Sequence, residues 1–399
     1  MTLIEGGVTA PKGYRASGTA AGIKSGKDRK DCALIVSDVP AAVAGTFTQN
    51  VLRAPSVDWN EQVCARGRAR AVFINSGNAN AATGDQGVRD VRATAEAVGN
   101  ALGADADETC VCSTGVIGVP LPMERVLDGV SQCADALSPS GSLDAATAIM
   151  TTDTGPKEMA VEVRLDSGVI RIGAIAKGAG MIAPNMATMI CIVTTDAAMA
   201  PADLAQLLGH AVTRSFNRIC VDNDTSTSDT VLCFANGASG VRVESEADRA
   251  AFFEALVAVC LEMAKQIVRD GEGATKLVEI AVSGAATDAD AAAIARAVAM
   301  SQLCKTAFFG EDPNWGRIAC AAGYAGVEFD PEQLAIWIED VQVAQNGMAA
   351  PYEEADAATR MRNREFGIRI EVGDGPGNAV FWTSDLSHDY VRINADYRS

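Results

Sequence analysis

Residues Lys177 to Val193 read KGAGMIAPNMATMICIV, and how they are read decides the fold. A lysine and two glycines lead through Pro184 to Ala187-Thr188, and an apolar run follows at once. Three readings compete: a dinucleotide-binding turn, an exposed nucleophile, and an ordinary turn between two strands. Gly178-Ala-Gly180-Met-Ile-Ala183 fits G-x-G-x-x-A after a strand, with Asp196 close to the place of a ribose-binding acid. The crossover excludes that reading. Only eight residues, Pro184 among them, separate Gly180 from Met189, whereas a parallel crossover takes about a dozen or more. No helix is left to hold a pyrophosphate.

The nucleophile reading rests on chemistry. A threonine hydroxyl is weakly nucleophilic unless a base stands beside it, and an N-terminal threonine carries one in its own α-amine. That amine titrates near pH ~8, close to the working range. Inside a chain it has to be made by cutting the bond before Thr188: the hydroxyl attacks the Ala187 carbonyl, and water hydrolyses the ester. Gly178, Gly180 and Pro184 can hold the segment bent, small Ala187 leaves its carbonyl open, and the strand from Met189 fixes the new terminus. Strand-initial threonines are common and usually structural, so these residues alone leave the ordinary turn open.

Composition narrows the classes. A chain of 399 residues points to two domains or one large layered domain. Hydrophobic content of 48% with 21% charged residues is that of a soluble globular protein. No apolar run reaches the roughly 18 residues of a membrane span, and MTLIEGGVTAPKGYR lacks a signal core, so the cytoplasm is the expected location. A formal charge of −18 argues against nucleic-acid binding. Eleven cysteines without a CxxC spacing read as buried free thiols in a reducing compartment. The only histidines, His210 and His388, lie in a helix-like run and in a polar turn before a strand. With no metal-binding spacing around them, neither metal nor histidine catalysis is expected.

Apolar β-branched runs predict strands at 71–75, 169–176, 189–195, 231–235, 278–282, 334–339, 367–372 and 378–384. Helical patterns cover 87–102, 201–216, 246–270 and 287–301, the last opening on Thr287 as an N-cap. Strands and helices mix without strict alternation, so the expected class is α+β, or layered α/β, with mixed sheets packed against helices. TCVC (109–112) reads as a strand, with Ser-Thr-Gly turning after it to leave donors free. SGTAAGIKSGKD (17–28) and DNDTSTSDT (222–230) read as structural turns, the second rich enough in hydroxyls to border a polar site.

KGAGMIAPNMATM closely resembles the self-cleavage site of the ornithine acetyltransferase family, arginine-biosynthesis enzymes that move acetyl between N-acetylornithine and glutamate. CSTGVIG (112–118), AIMTTDT (148–154), FNRICVDNDTSTSDT (216–230), DGEGATK (270–276), KTAFFGEDPNWGRI (305–318) and the expected terminal strand YVRINADYRS (390–399) resemble further family motifs, in family order. The resemblance therefore spans nearly the whole chain. It implies cleavage between Ala187 and Thr188 into an α-chain, 1–187, and a β-chain, 188–399, with Thr188 as nucleophile. It implies Thr114 and Gly115 as the oxyanion hole, and Thr151 with Thr152, Lys177, Thr188, Glu272, Asn394 and Ser399 at the substrate. Taken singly, each of these has an ordinary structural explanation. Three places depart from the usual family pattern: Ala179 for serine, Ala183 for histidine or glutamate, and Ser399 for threonine.

The implied reaction is ping-pong. Thr188 takes acetyl from N-acetylornithine, ornithine leaves protonated by the Thr188 amine, and glutamate then accepts the acetyl group. By charge, Lys177 suits the substrate carboxylate, and Glu272 or the C-terminal carboxylate suits the ammonium. No cofactor is implied, acetyl-CoA stays open as a second acetyl donor, and the expected assembly is an α2β2 heterotetramer. The rivals are a self-processing N-terminal-nucleophile amidohydrolase or aminopeptidase, a paralogue serving a secondary pathway, and an uncleaved scaffold without activity.

Overall fold

A computed structural model describes residues 1–26, 28–183 and 189–396. Among them, sixteen strands are β1 (Thr2–Ile4), β2 (Tyr14–Thr19), β3 (Cys32–Phe47), β4 (Arg68–Asn78), β5 (Thr109–Val116), β6 (Lys157–Leu165), β7 (Gly168–Lys177), β8 (Ile190–Thr195), β9 (Ile219–Cys220), β10 (Thr230–Ala235), β11 (Leu277–Gly284), β12 (Ala335–Ile338), β13 (Val341–Gln345), β14 (Met348–Ala349), β15 (Glu365–Glu371) and β16 (Gly375–Ser384). The fold is mixed α/β, as expected. Two compact units divide the chain: Met1–Asn217 with Asp224–Ile267, and Arg218–Asn223 with the described residues from Val268 onward. The first unit thus takes in β8 and β10, on the far side of the expected cleavage point.

The first unit is built on nine strands in the order β1-β6-β7-β8-β10-β3-β4-β5, with β2 also on β3. Strand β3 carries this arrangement, and its sequence shows why. Cys32 to Ser37 are buried, Asp38-Val39-Pro40 are exposed, and Ala41 is buried again. Pro40 has no N–H to give a ladder, and the β3–β4 register shifts between Val36 and Ala41. The first half of β3 pairs with β2, and its second half pairs with β10. Ile35, Ile74 and Cys112 of the β3–β4–β5 side share one core cluster with Ile175, Ile192 and Leu232 of the β7–β8–β10 side. Burying both apolar faces against each other removes more apolar surface from water than an open sheet could. The alternate residues of β3 and β4, Leu34, Val36 and Phe73, pack on the opposite face with Val98, Val126 and Val130 from the helices at 84–102 and 123–135.

Strands β7 and β8 are antiparallel neighbours, Lys177 opposite Ile190. This agrees with the exclusion of a crossover helix between them. Asp196, at the place of a ribose acid, instead accepts the Lys12 and Arg171 backbone N–H groups at 3.1 and 2.8 Å.

In the second unit, seven strands run β14-β13-β12-β15-β11-β16-β9. Val278, Ile280 and Val282 of β11 alternate toward a core completed by Ala291, Ile294 and Val298 of the helix Asp288–Met300. Thr287 caps that helix as its sequence predicts, accepting the Asp290 N–H at 3.1 Å.

Two sequence expectations are corrected. The segment expected as a terminal strand is a helix, His388–Asp396. Its half-buried residues, Tyr390 and Ile393, recur at helical rather than alternate spacing, and the Ser387 hydroxyl accepts the Asp389 N–H at its start. Likewise Ser113-Thr114-Gly115 do not turn away after TCVC but continue β5 to Val116. Nine cysteines are buried as free thiols, whereas Cys64 is half-buried and Cys320 exposed. No described helix is long and apolar enough to cross a membrane.

Candidate active site

Thr114 and Gly115 lie where β4 and β5 run parallel and their register breaks: Asn78 faces both Thr114 and Val116. Gly115 has φ +134°, and a Cβ there would lie 2.3 Å from the Gly77 carbonyl carbon. Only glycine fits this approach. Beneath it the Ser113 hydroxyl donates to Asn75 Oδ1 at 2.6 Å, the Asn75 amide to the Asn78 carbonyl, and the Asn78 amide to the Val119 and Pro120 carbonyls. These bonds hold the strand ends in an irregular shape that ladder bonds alone would straighten.

Lys177, the last residue of β7, is buried, and its Nζ donates to Thr114 Oγ1 at 3.3 Å. Five strand spacings separate β5 from β7 along the sheet order, about 24 Å in a flat sheet, so the bend of β3 is what lets these two side chains touch. Because the Thr114 oxygen accepts from lysine, its own O–H is left to donate elsewhere.

Asp153 ties the next loop in. Its Oδ2 accepts the Thr151 N–H at 2.9 Å, and its Oδ1 accepts the Gly178 N–H and Lys157 Nζ, both at 2.7 Å. Burial works to raise its pKa, but Lys177, then Lys157, then the Gly178 amide outweigh burial and hold it to about 2. Asp153 is thus an ionised carboxylate linking Thr151 and its neighbour Thr152 to the start of the Gly178–Gly180 loop.

Sequence reasoning missed Lys24, which it placed in a structural turn. Asp31 gathers the Ala21, Ile23 and Lys24 N–H groups and shapes that loop. Lys24 Nζ donates to the Ala148 carbonyl at 3.2 Å, and a Cβ on Gly77 would come within 3.0 Å of its Cγ. Burial first, and then Arg29, lower its pKa to about 8. No motif spacing marks it; only the tertiary approach to Gly77 does.

Ala187, Thr188 and Ser399 lie outside the described residues. On the near side of Thr188, the Met189 N–H donates to Asp229 Oδ1 at 2.9 Å, and the Met189 carbonyl accepts from Thr230. In the second unit, Glu272 and Asn394 meet, the Asn394 amide donating to Glu272 Oε2 at 2.8 Å. The loop carrying Glu272 is anchored by Asp385, which accepts from the Thr275 and Lys276 backbone and the Thr275 hydroxyl. His210 lies edge-on to Phe253, and His388, at the start of the helix that carries Asn394, lies edge-on to Phe309.

The ArgJ family model matches residues 15–399. The chain belongs to the ArgJ family. Among its relatives, the arginine biosynthesis bifunctional protein ArgJ of Symbiobacterium thermophilum is 49% identical over 402 residues, covering all of both chains. That of Geobacter sulfurreducens is 49% identical over 392 residues, 97% of this chain and 99% of its own. A crystal structure of the Bacillus halodurans ArgJ protein is 40% identical with a TM-score of 0.50, and covers 51% of this chain and 97% of the solved one. The solved chain is therefore about half as long as this one. An ornithine acetyltransferase from Mycobacterium tuberculosis, solved in complex with ornithine, is 45% identical over 46% of this chain and 97% of its own, with a TM-score of 0.43. The ArgJ family and the acetyltransferase family expected from the motifs are one and the same.

Proposed function

We propose that this ArgJ-family chain is a self-processing acetyltransferase of arginine biosynthesis, transferring acetyl from N-acetylornithine to glutamate through an acetyl ester of Thr188. One observation carries the reading most directly: Lys177 stands 3.3 Å from Thr114 Oγ1 at the end of the sheet where β8 begins just after Thr188. A free Thr114 O–H and the Gly115 N–H serve as oxyanion donors, and a buried ammonium beside them favours the negative charge of a tetrahedral intermediate. Lys177 thereby gains a place at the oxyanion as well as the expected substrate carboxylate.

Cleavage before Thr188 into residues 1–187 and 188–399 is supported by the solved Bacillus halodurans relative, a chain of about half this length. Glu272 and Asn394 form the ammonium subsite. The Asn394 amide spends its two N–H groups on Glu272 Oε2 and on the Tyr390 carbonyl, and so holds the Glu272 carboxylate as the charge that suits the ornithine ammonium. The cleaved halves assemble as α2β2, acetyl-CoA serves as an alternative donor, and the enzyme works in the cytoplasm without a cofactor.

The test is product analysis of the purified protein with N-acetylornithine, with and without glutamate. N-Acetylglutamate formed only when glutamate is present is the expected result. Free acetate released at the same rate without an acceptor would make the protein a hydrolase and overturn the reading.

A further inference from the structure

The β7–β8 ladder ends at Lys177 opposite Ile190. In a continuing antiparallel pair, the next residues outward, Gly178 and Met189, would face each other and satisfy their backbone groups across the ladder. They do not. The Gly178 N–H goes to Asp153 Oδ1 at 2.7 Å, and the Met189 N–H goes to Asp229 Oδ1 at 2.9 Å. Two buried aspartates on separate segments therefore draw off the backbone donors where β7 ends and β8 begins.

The two carboxyls differ in environment. Asp153 has two lysines; Asp229 is completely buried, and its Oδ2 makes no hydrogen bond among the described residues. Around Asp229 the backbone is pinned on both sides: Thr48 N–H donates to its carbonyl, and Thr230 N–H donates to the Met189 carbonyl. Met189 is thus held at both its polar groups by residues 229 and 230.

We infer that Asp229 is a positioning residue for self-cleavage, fixing through the Met189 N–H the peptide unit by which Thr188 is joined to β8. This rests on the proposed cleavage before Thr188. In that step the Thr188 Oγ bonds to the Ala187 carbonyl carbon, and the Ala187–Thr188 C–N bond breaks. The hydroxyl proton passes to the released nitrogen, and water then splits the ester into the Ala187 carboxylate and the free hydroxyl, the remaining proton of that water going to the new Thr188 α-amine. Oxygen and carbon must be held close for the addition, and the Met189 amide nitrogen is bonded directly to the Thr188 carbonyl carbon. Anchoring that amide removes the freedom of the peptide unit next to the attacking residue. Burial also pushes the Asp229 carboxyl well above the ordinary range, against the opposing pull of the Met189 amide, Lys177 and Ser226. Asparagine is then the close mimic of this side chain, equal in size and able to accept the same N–H.

The experiment follows full-length chains made by pulse-labelled cell-free synthesis on denaturing gels, with melting curves of the same proteins. Wild type divides into two fragments. Asp229→Asn is expected to divide within about fivefold of the wild-type rate, and folded Asp229→Ala about a hundredfold more slowly, the scale of a lost reactive alignment. If Asp229→Ala shows no melting transition, Asp229→Ser replaces it with the same expectation. A folded alanine or serine variant cleaving at the wild-type rate overturns the role, as does an asparagine variant that fails to cleave. A wild-type chain that stays whole overturns the cleavage itself and this inference with it.

Discussion

A single carboxylate, Asp153, shows how much of this site depends on charge. It is buried with Lys157 at 2.7 Å and influenced by Lys177, so removing it leaves buried cations without their counter-charge. Asp153→Asn is expected to lower the unfolding free energy at pH 7 by about 3–5 kcal/mol, the usual cost of breaking a buried pair. The sign of the pH dependence follows from the direction of the shift. The folded-state pKa lies at about 2, below the unfolded value of about 3.9. The stabilisation is complete above the unfolded value and is lost as pH falls through the folded one. Urea unfolding of both proteins should therefore show the gap narrowing between about pH 4 and pH 2; a gap independent of pH would mean the carboxylate's charge is not what stabilises the loop. At this scale the motifs made Thr114, Gly115, Thr151 and Lys177 legible, because each stands in a quotable local pattern. Asp153 was legible only as a letter inside AIMTTDT, and Lys24 not at all, since the Gly178 N–H that Asp153 holds and the Ala148 carbonyl that Lys24 reaches lie in other segments of the chain.

Elements were easiest to read where local chemistry and burial agree. The helix Asp288–Met300 has its cap and its apolar face written in one stretch. Thr287 accepts the Asp290 N–H and donates to the Asp290 carboxylate, two bonds that alanine cannot make. Thr287→Ala is expected to cost about 1 kcal/mol in chemical denaturation while leaving acetyl transfer unchanged; a drop in transfer rate at full stability would contradict a purely structural cap. Reading failed where one pattern fits two periods. Val391-Arg-Ile393 alternates like a strand, yet the segment is helical and half-buries Tyr390 and Ile393 on one helical face. Similarly, Ser113-Thr114-Gly115 looks like a turn because it is polar and ends in glycine. The Ser113 hydroxyl is instead bonded to Asn75 of β4, Thr114 accepts from Lys177, and the glycine serves a close approach to Gly77.

The whole molecule constrains what cleavage can do. After a cut before Thr188, β8 and β10 belong to the second fragment, while β7 on one side and β3 on the other belong to the first. The second fragment's strands are thus threaded into the middle of the first fragment's sheet, with ladder bonds on both sides. The two fragments should therefore co-elute in size exclusion at neutral pH and separate only in denaturant, as denaturing gels of the same fractions would show. Release of either fragment from native protein would be incompatible with this topology. The sequence by itself determined the class of fold, the absence of a dinucleotide crossover and the family. Those follow from local patterning, from the eight residues between Gly180 and Met189, and from long contiguous motifs. Tertiary structure alone decided that Lys177 touches Thr114, that Lys24 reaches Gly77, and that two aspartates end the β7–β8 ladder. Each of these joins residues from distant segments, and the bend of β3 at Pro40, which folds one half of the sheet onto the other, is set by the burial of both apolar faces together.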